Sequence, residues 1–264
     1  MNFIKHQIGI VTIGFFLACI GSVSGQESIA TDRPDQTECP SIVPKGMFQI
    51  ESGFQYEFDK SDTSRIQNIT YNTSLIKYGL SEYAEFRLIV EYIGCNSIYK
   101  RETSVHEREA SFSPVAIGMK LRICEESGLI PKTSLICHVD LPAFKCPENQ
   151  VNTFVPRYRF TMSHTLSDKS SLSYNIGSEW NAVTTIPTHI YTLTLGRSLS
   201  EKWGMYIEGY GFITKNQPAD HRFDGGFTYL VTNDCQLDIS GGFGLTPAAP
   251  DSFIGVGCSW RFKK

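Results

Sequence analysis

The chain has 264 residues, 41% of them hydrophobic and 19% charged, with a formal net charge of -3. That length accommodates one large all-β domain or two smaller ones, and the slight acidity leaves no basic stripe of the kind nucleic-acid binding requires. After the first segment no run is long and apolar enough for a transmembrane helix, so membrane entry would have to be as a closed β-barrel, the other structure that satisfies every backbone group in hydrocarbon.

The chain opens "MNFIKHQIGIVTIGFFLACIGSVSGQ", with Lys5, an apolar run from Ile8 to Ile20, and small residues at Val23 and Gly25. Residues 1–25 read as a secretory signal peptide, because the apolar run is short for an anchor helix. "FLAC" at Cys19 is a poor lipoprotein box, since Phe16 occupies its first position. Residues 26–46 carry three prolines, Asp32, Arg33, Asp35 and Glu38, and no strand periodicity. Such text stays extended or turns. The expectation is a periplasmic arm or plug that folds into or beneath a barrel mouth, with Arg33 and Asp35 meeting lumen charges; a disordered leader is the alternative.

From residue 47 to 262 strand-like segments of about ten residues recur. "FQIESGFQYEF" (48–58) sets the pattern: Phe48, Ile50, Phe54, Tyr56 and Phe58 fall on one face, and Gln49, Glu51, Gln55 and Glu57 on the other. Segments follow at 68–78, 84–92, 114–124, 133–141, 156–166, 171–180, 190–199, 203–213, 223–231, 235–245 and 253–262. They make about twelve strands, an even number, as single-chain bacterial outer-membrane barrels have. Short connections ("GLSEY", "LSDKS", "LSEKW", "VTNDC") alternate with longer polar ones at 59–67, 94–112, 142–153, 181–188, 214–222 and 246–252. This is the asymmetry of periplasmic turns and extracellular loops. Segment 68–78 resists, because Lys77 shares a register with Ile69, Tyr71 and Leu75; a bulge near Leu75 is expected to shift the register.

The two faces differ in chemistry. One register holds Phe86, Leu88, Val90 and Tyr92, then Val115, Ile117, Met119, Leu121 and Ile123, then Leu237, Ile239 and Phe243. The other holds Glu85, Arg87, Glu91, Lys120, Arg122, His138, Asp140, Arg157, Arg159, Glu179, Glu208, Asp224, Asp238 and Arg261, and these are the candidate lumen and solute-path residues. Each Lys or Arg at a bilayer midplane costs about 2–4 kcal/mol, so the apolar register is assigned to lipid. Arg197 breaks the rule two residues before a short turn, where it can snorkel. A soluble lipocalin-like barrel would be inverted and would carry a Lys- and Glu-rich exterior. Aromatic residues gather at strand ends (Phe48, Phe58, Tyr71, Tyr92, Trp180, Trp203, Trp260, Phe262), as two membrane interfaces select.

Lys120, Arg122, Arg157 and Arg159 suggest a basic wall opposed to Glu85 and Glu91, a transverse field that orients dipolar solutes; the alternative is that these side chains pair and fill the interior. Loop 94–112 reads as a solvated surface loop, with an inward-bent constriction and a ligand-binding loop as the alternatives. Catalysis finds little support. Ser163 and His164 are adjacent on a strand and point oppositely, His138 and Asp140 read as a polar pair, and no GxSxG, HExxH or phosphate loop is present. The seven cysteines after the signal (Cys39, Cys95, Cys124, Cys137, Cys146, Cys235, Cys258) form no metal pattern; Cys95 and Cys146, both in expected loops, are the candidate disulfide pair.

"TDRPDQTECP", "VPKGMFQIESGFQYE", "LIKYGLSEYAEFRLIVEY", "SFSPVAIGMKL", "LSDKSSLSYNIGSEW", "DGGFTYLVTNDCQLDISGGFGL" and "PDSFIGVGCSWRF" together resemble the outer-membrane transporter-like family labelled "putative meta-pathway of phenol degradation", in its Bacteroidetes form. The resemblance spans nearly the whole chain after the signal. It implies passage of small compounds, aromatic or hydrophobic ones among them; the cysteines depart from the family's pattern.

The sequence therefore predicts an all-β fold: a transmembrane antiparallel up-and-down β-barrel over 47–262 in the bacterial outer membrane, acting as a channel or transporter rather than an enzyme. Its partners are outer-membrane lipid and an unidentified small solute; no cofactor, metal or nucleic acid is expected. A structural or surface-display barrel is the alternative, with an outer-membrane lipid hydrolase behind it.

Overall fold

The computed structural model describes residues 28–61, 63–99, 105–142, 153–181 and 184–263; the expected signal segment and Cys146 lie outside them. The strands are β1 (Met47–Lys60), β2 (Ser64–Gly79), β3 (Ala84–Tyr99), β4 (Val105–Phe112), β5 (Ala116–Cys124), β6 (Lys132–Asp140), β7 (Val155–Ser167), β8 (Ser170–Glu179), β9 (Thr188–Ser198), β10 (Trp203–Thr214), β11 (Asp220–Thr232), β12 (Cys235–Gly244) and β13 (Ser252–Lys263). Neighbours pair antiparallel, and β1 closes the cylinder on β13, with Phe48 opposite Phe262 and Phe58 opposite Ser252.

Two of these strands share one place in the wall. β5 pairs with Ala84–Ile89 of β3, and β4 pairs with Tyr92–Tyr99 of the same strand. Between them the chain breaks at Ser113, Pro114 and Val115, where Pro114 has no N–H to give a ladder. The barrel thus has twelve wall positions. It also corrects the reading of 94–112 as a loop: β3 runs on to Tyr99 and β4 returns beside it. This hairpin rises beyond the ring cluster of Tyr71, Tyr92 and Phe112 (centroids 5.5 and 5.0 Å apart). Out there neither face needs to be apolar, so no period-two signal marks it.

The interior is charged and the exterior apolar. The largest fully buried side chains include Arg87, Lys77, Lys120, Gln49, Glu51, Glu85 and Glu208, while Met119, Leu121, Leu193, Leu195, Ile239 and Ile254 are exposed. In water this arrangement would forfeit the hydrophobic term that drives folding; in lipid it spares each midplane cation about 2–4 kcal/mol. Two aromatic belts bound the apolar band. At the turn end Phe48 lies against Tyr78 and Phe262, and Trp203 against Tyr229; at the loop end lie Tyr158 with Trp180 and Phe223 with Phe243. Phe48 and Phe58 mark the two ends of β1. At ~3.3 Å per residue and a tilt of ~40° their separation along the barrel axis is about 25 Å, the height of an outer-membrane apolar band.

The register of β2 shifts at Tyr71, the extra residue between Thr70 and Asn72 against β3, and not near Leu75. Below this bulge Leu75, Lys77 and Gly79 turn inward and are buried, which resolves the conflict over Lys77. Connection 59–67 is shorter than expected because β1 and β2 extend to Lys60 and Ser64. Cys39, Cys95, Cys124, Cys137, Cys235 and Cys258 are free thiols, and Cys95 lies within β3 rather than in a loop.

Candidate functional site

The arm enters at the turn end, where Ile29 N donates to Asn233 O at 2.7 Å. It crosses the lumen and leaves beside β2, where Gly46 N donates to Gly79 O at 2.8 Å. Proline-rich text cannot add a strand to the wall, so its backbone polar groups are met by inward-facing side chains. Asp32 N donates to Glu51 Oε2 (2.9 Å), Gln36 N to Glu208 Oε2 (2.7 Å) and Val43 N to Glu85 Oε2 (2.8 Å). Asn175 exchanges two hydrogen bonds with the Glu38 backbone (2.7 and 3.0 Å), and Ser134 Oγ donates to Pro40 O at 2.6 Å. The arm is therefore held by β1, β3, β6, β8 and β10.

Asp32 is the hub. It is 7% exposed, and its carboxylate accepts from Lys77 Nζ (2.9 Å), Arg87 Nη1 (2.8 Å), Lys120 Nζ (2.9 Å) and Cys39 N (2.9 Å). Burial alone would raise its pKa; Lys120, Lys77 and Arg87 outweigh that and hold the carboxyl well below the usual range. Lys77 also pairs with Glu51, and Arg87 with Glu85 (2.9 Å) and Glu38 (2.6 Å). Burial opposes the charge on Glu38 too, but Arg87 and Arg159 lower its pKa. Arg87 Nε donates to His138 Nε2 at 3.1 Å, which leaves that nitrogen bare and the proton on the other.

The second anchor is Arg33. Its guanidinium meets Asp238 at 3.0 and 3.4 Å and lies flat over Gly53 and Gly257, register partners on β1 and β13. A Cβ on either glycine would fall within 2.2–2.7 Å of guanidinium atoms. These glycines are a seat for the arginine.

The remaining expected lumen residues separate by height. Arg159 Nη1 donates to Gln36 O at 2.9 Å. Arg157 pairs with Asp140 (2.9 Å), and Glu91 accepts from Thr73 (3.0 Å). Glu179 joins Arg157, Arg159, His138 and Glu38 around a loop-side pocket of about 50 Å³. Arg122 and Arg261 instead sit at the turn-side rim, paired with Glu125 (2.9 Å) and Asp234 (2.7 Å). Glu208, Asp224 and Asp238 stand on β10, β11 and β12. Glu85 is the register partner of Lys120, so it belongs to the basic wall and does not oppose it as expected; the acidic wall is Glu208, Asp224 and Asp238. On the turn side of the arm lies a chamber of about 360 Å³, lined by Thr31, Arg33, Asp35, Thr194, Tyr206 and Thr228 among others. Sequence reasoning missed Lys77, Glu51, Asn175 and Thr37 as members of the site. Lys77 carried a signal in its misfit in the outward register, and Glu51 in its place on the polar face of 48–58.

The fold and the ion-paired arm within it define a transmembrane β-barrel of the bacterial outer-membrane class with a segment of its own chain in the lumen. A family model described as "Putative MetA-pathway of phenol degradation" matches residues 31–262, and the chain belongs to that family. Among solved structures it is similar to an outer membrane channel from Pseudomonas putida F1 (TM-score 0.61, 9% identity, covering 84% of this chain and 97% of that one). It also resembles the NanC porin (TM-score 0.50, 7% identity, 81% and 100%) and the translocator domain of autotransporter NalP from Neisseria meningitidis (TM-score 0.50, 11% identity, 83% and 89%). A search of curated proteins finds no match.

Proposed function

We propose that this protein is an outer-membrane channel for small solutes whose lumen is closed, in the state described, by its own arm. The observation that carries the reading is what fills the barrel. A twelve-position barrel built only as an anchor or a display stand would pack its interior with wall side chains, whereas here an arm outside the sheet occupies the axis. The arm is held largely by ion pairs and hydrogen bonds, groups that water can re-solvate when it moves, so withdrawal exposes little apolar surface beyond Ile29, Pro40 and Val43. The acidic wall facing the basic one across the arm would give an opened lumen a transverse field suited to dipolar solutes. Aromatic compounds such as phenols, with a polar handle and a small ring, fit that description and the family's name; the related channel and porin folds support the reading.

The test compares the full chain with a variant lacking 28–43 in planar bilayers and in liposome swelling with arabinose, glycine and phenol. The arm-deleted barrel should conduct and should swell with at least one solute, the full chain much less. Absence of conductance in the arm-deleted barrel would overturn the channel reading.

A further inference from the structure

Three carboxylates, Asp35, Glu208 and Asp224, meet where the arm touches β10 and β11, and among the described residues no cationic side chain pairs with any of them. Glu208 and Asp224 are register partners, and the charges of both act on Asp35 of the arm. Glu208 has its hydrogen bonds, accepting from Gln36 N (2.7 Å), Thr37 Oγ1 (2.5 Å) and Thr194 Oγ1 (3.0 Å). Asp224 has fewer. It is 3% exposed, its Oδ2 receives only the Tyr206 hydroxyl at 3.4 Å, and its Oδ1 has no hydrogen-bond partner. A buried carboxylate oxygen without a protein donor, beside a second carboxylate, is among the least favourable arrangements for two anions.

The surrounding charges do not relieve it. From the arm come Asp32 and Asp35; β10 adds Tyr206 and Tyr210; the polar side chains that β9 buries are Thr192 and Thr194. Arg222 of β11 is committed to Asp220 and Glu57, and Arg33 to Asp238 of β12. One proton placed between Asp224 and Glu208 turns the bare oxygen into a donor and removes one charge.

We propose that Asp224 and Glu208 form a proton-binding site that holds one shared proton while the arm is docked, and that loss of this proton releases the arm. The proposal rests on the channel reading for its consequence, though not for the proton itself. The shared proton belongs to the docked state and leaves with the arm, so docking is favoured at low pH and is lost as pH rises. Burial next to Glu208 and Asp224 likewise raises the Asp35 pKa, so a second proton leaves the same seam.

Infrared spectra of the full chain at pH 7 should show the carbonyl stretch of a protonated carboxyl group that disappears in Asp224→Asn and fades by pH 9.5. In planar bilayers the open fraction should rise at least tenfold from pH 6 to 9.5. Asp224→Asn, whose amide supplies the missing donor, should stay closed at both. Glu208→Gln gives a second reading of the infrared band if the first variant fails to fold. Absence of a band sensitive to either substitution, or a wild-type open fraction that ignores pH, overturns the proposal. The barrel lacking 28–43 separates the two ideas: if it never conducts, the channel reading fails while the infrared result stands alone.

Discussion

Replacing Asp32 by Asn isolates the contribution of one arm charge to closure. The carboxylate meets Lys77, Arg87 and Lys120 within 2.8–2.9 Å, and the paired groups are almost fully buried. Removing one partner of a buried ion pair costs about 3–5 kcal/mol, because the other charge is left uncompensated. Glu51, Glu85 and Glu38 still neutralise part of the basic wall, so the lower end applies. About 3 kcal/mol shifts the docked-to-undocked ratio roughly a hundredfold. The assay pairs planar-bilayer conductance with protease nicking of the arm in the same preparation; Asp32→Asn should raise both. An arm as resistant as wild type, with unchanged conductance, would refute the claim that these ion pairs hold it.

Acid should not open the barrel through Asp32. Its lowered carboxyl pKa contributes docking that is present above the ordinary carboxylate range and lost only as pH falls through the lower native value, so conductance between pH 7 and about 4.5 should stay flat. Gly257→Ala should dislodge Arg33 from Asp238, and in a double-mutant cycle with Arg33→Met the two should be strongly non-additive when arm proteolysis is measured. Ile239→Arg, on the exposed face of β12, should lower stability in vesicles by about 2–4 kcal/mol in a urea titration; an effect near zero would place that face in water.

The barrel was legible because lipid on one side and charge on the other force strict alternation, as in "FQIESGFQYEF" and in Ala116–Cys124. The same rule explains where legibility ends. β4 lies beyond the ring cluster of Tyr92 and Phe112, where no solvent difference imposes a period, and so it reads as polar loop. The bulge at Tyr71 leaves no local mark except the apparent misplacement of Lys77 further along. In the arm the charges are plain in the sequence, but Asp32 meets partners 45, 55 and 88 positions away, and only the closed sheet brings these together. The glycine seat under Arg33 was invisible for a similar reason: Gly53 and Gly257 become neighbours only when the first strand meets the last.

The arm is fastened twice on one side of the membrane, through Ile29 to the β11–β12 turn and through Gly46 to the end of β2. A stopper moored in this way cannot drift off. Its concentration at its own berth is set by the length of the leash, on the order of millimolar, and not by how much protein the membrane holds. Reclosure is therefore a first-order event, and the fraction of shut barrels should be the same in a crowded membrane as in a single reconstituted vesicle.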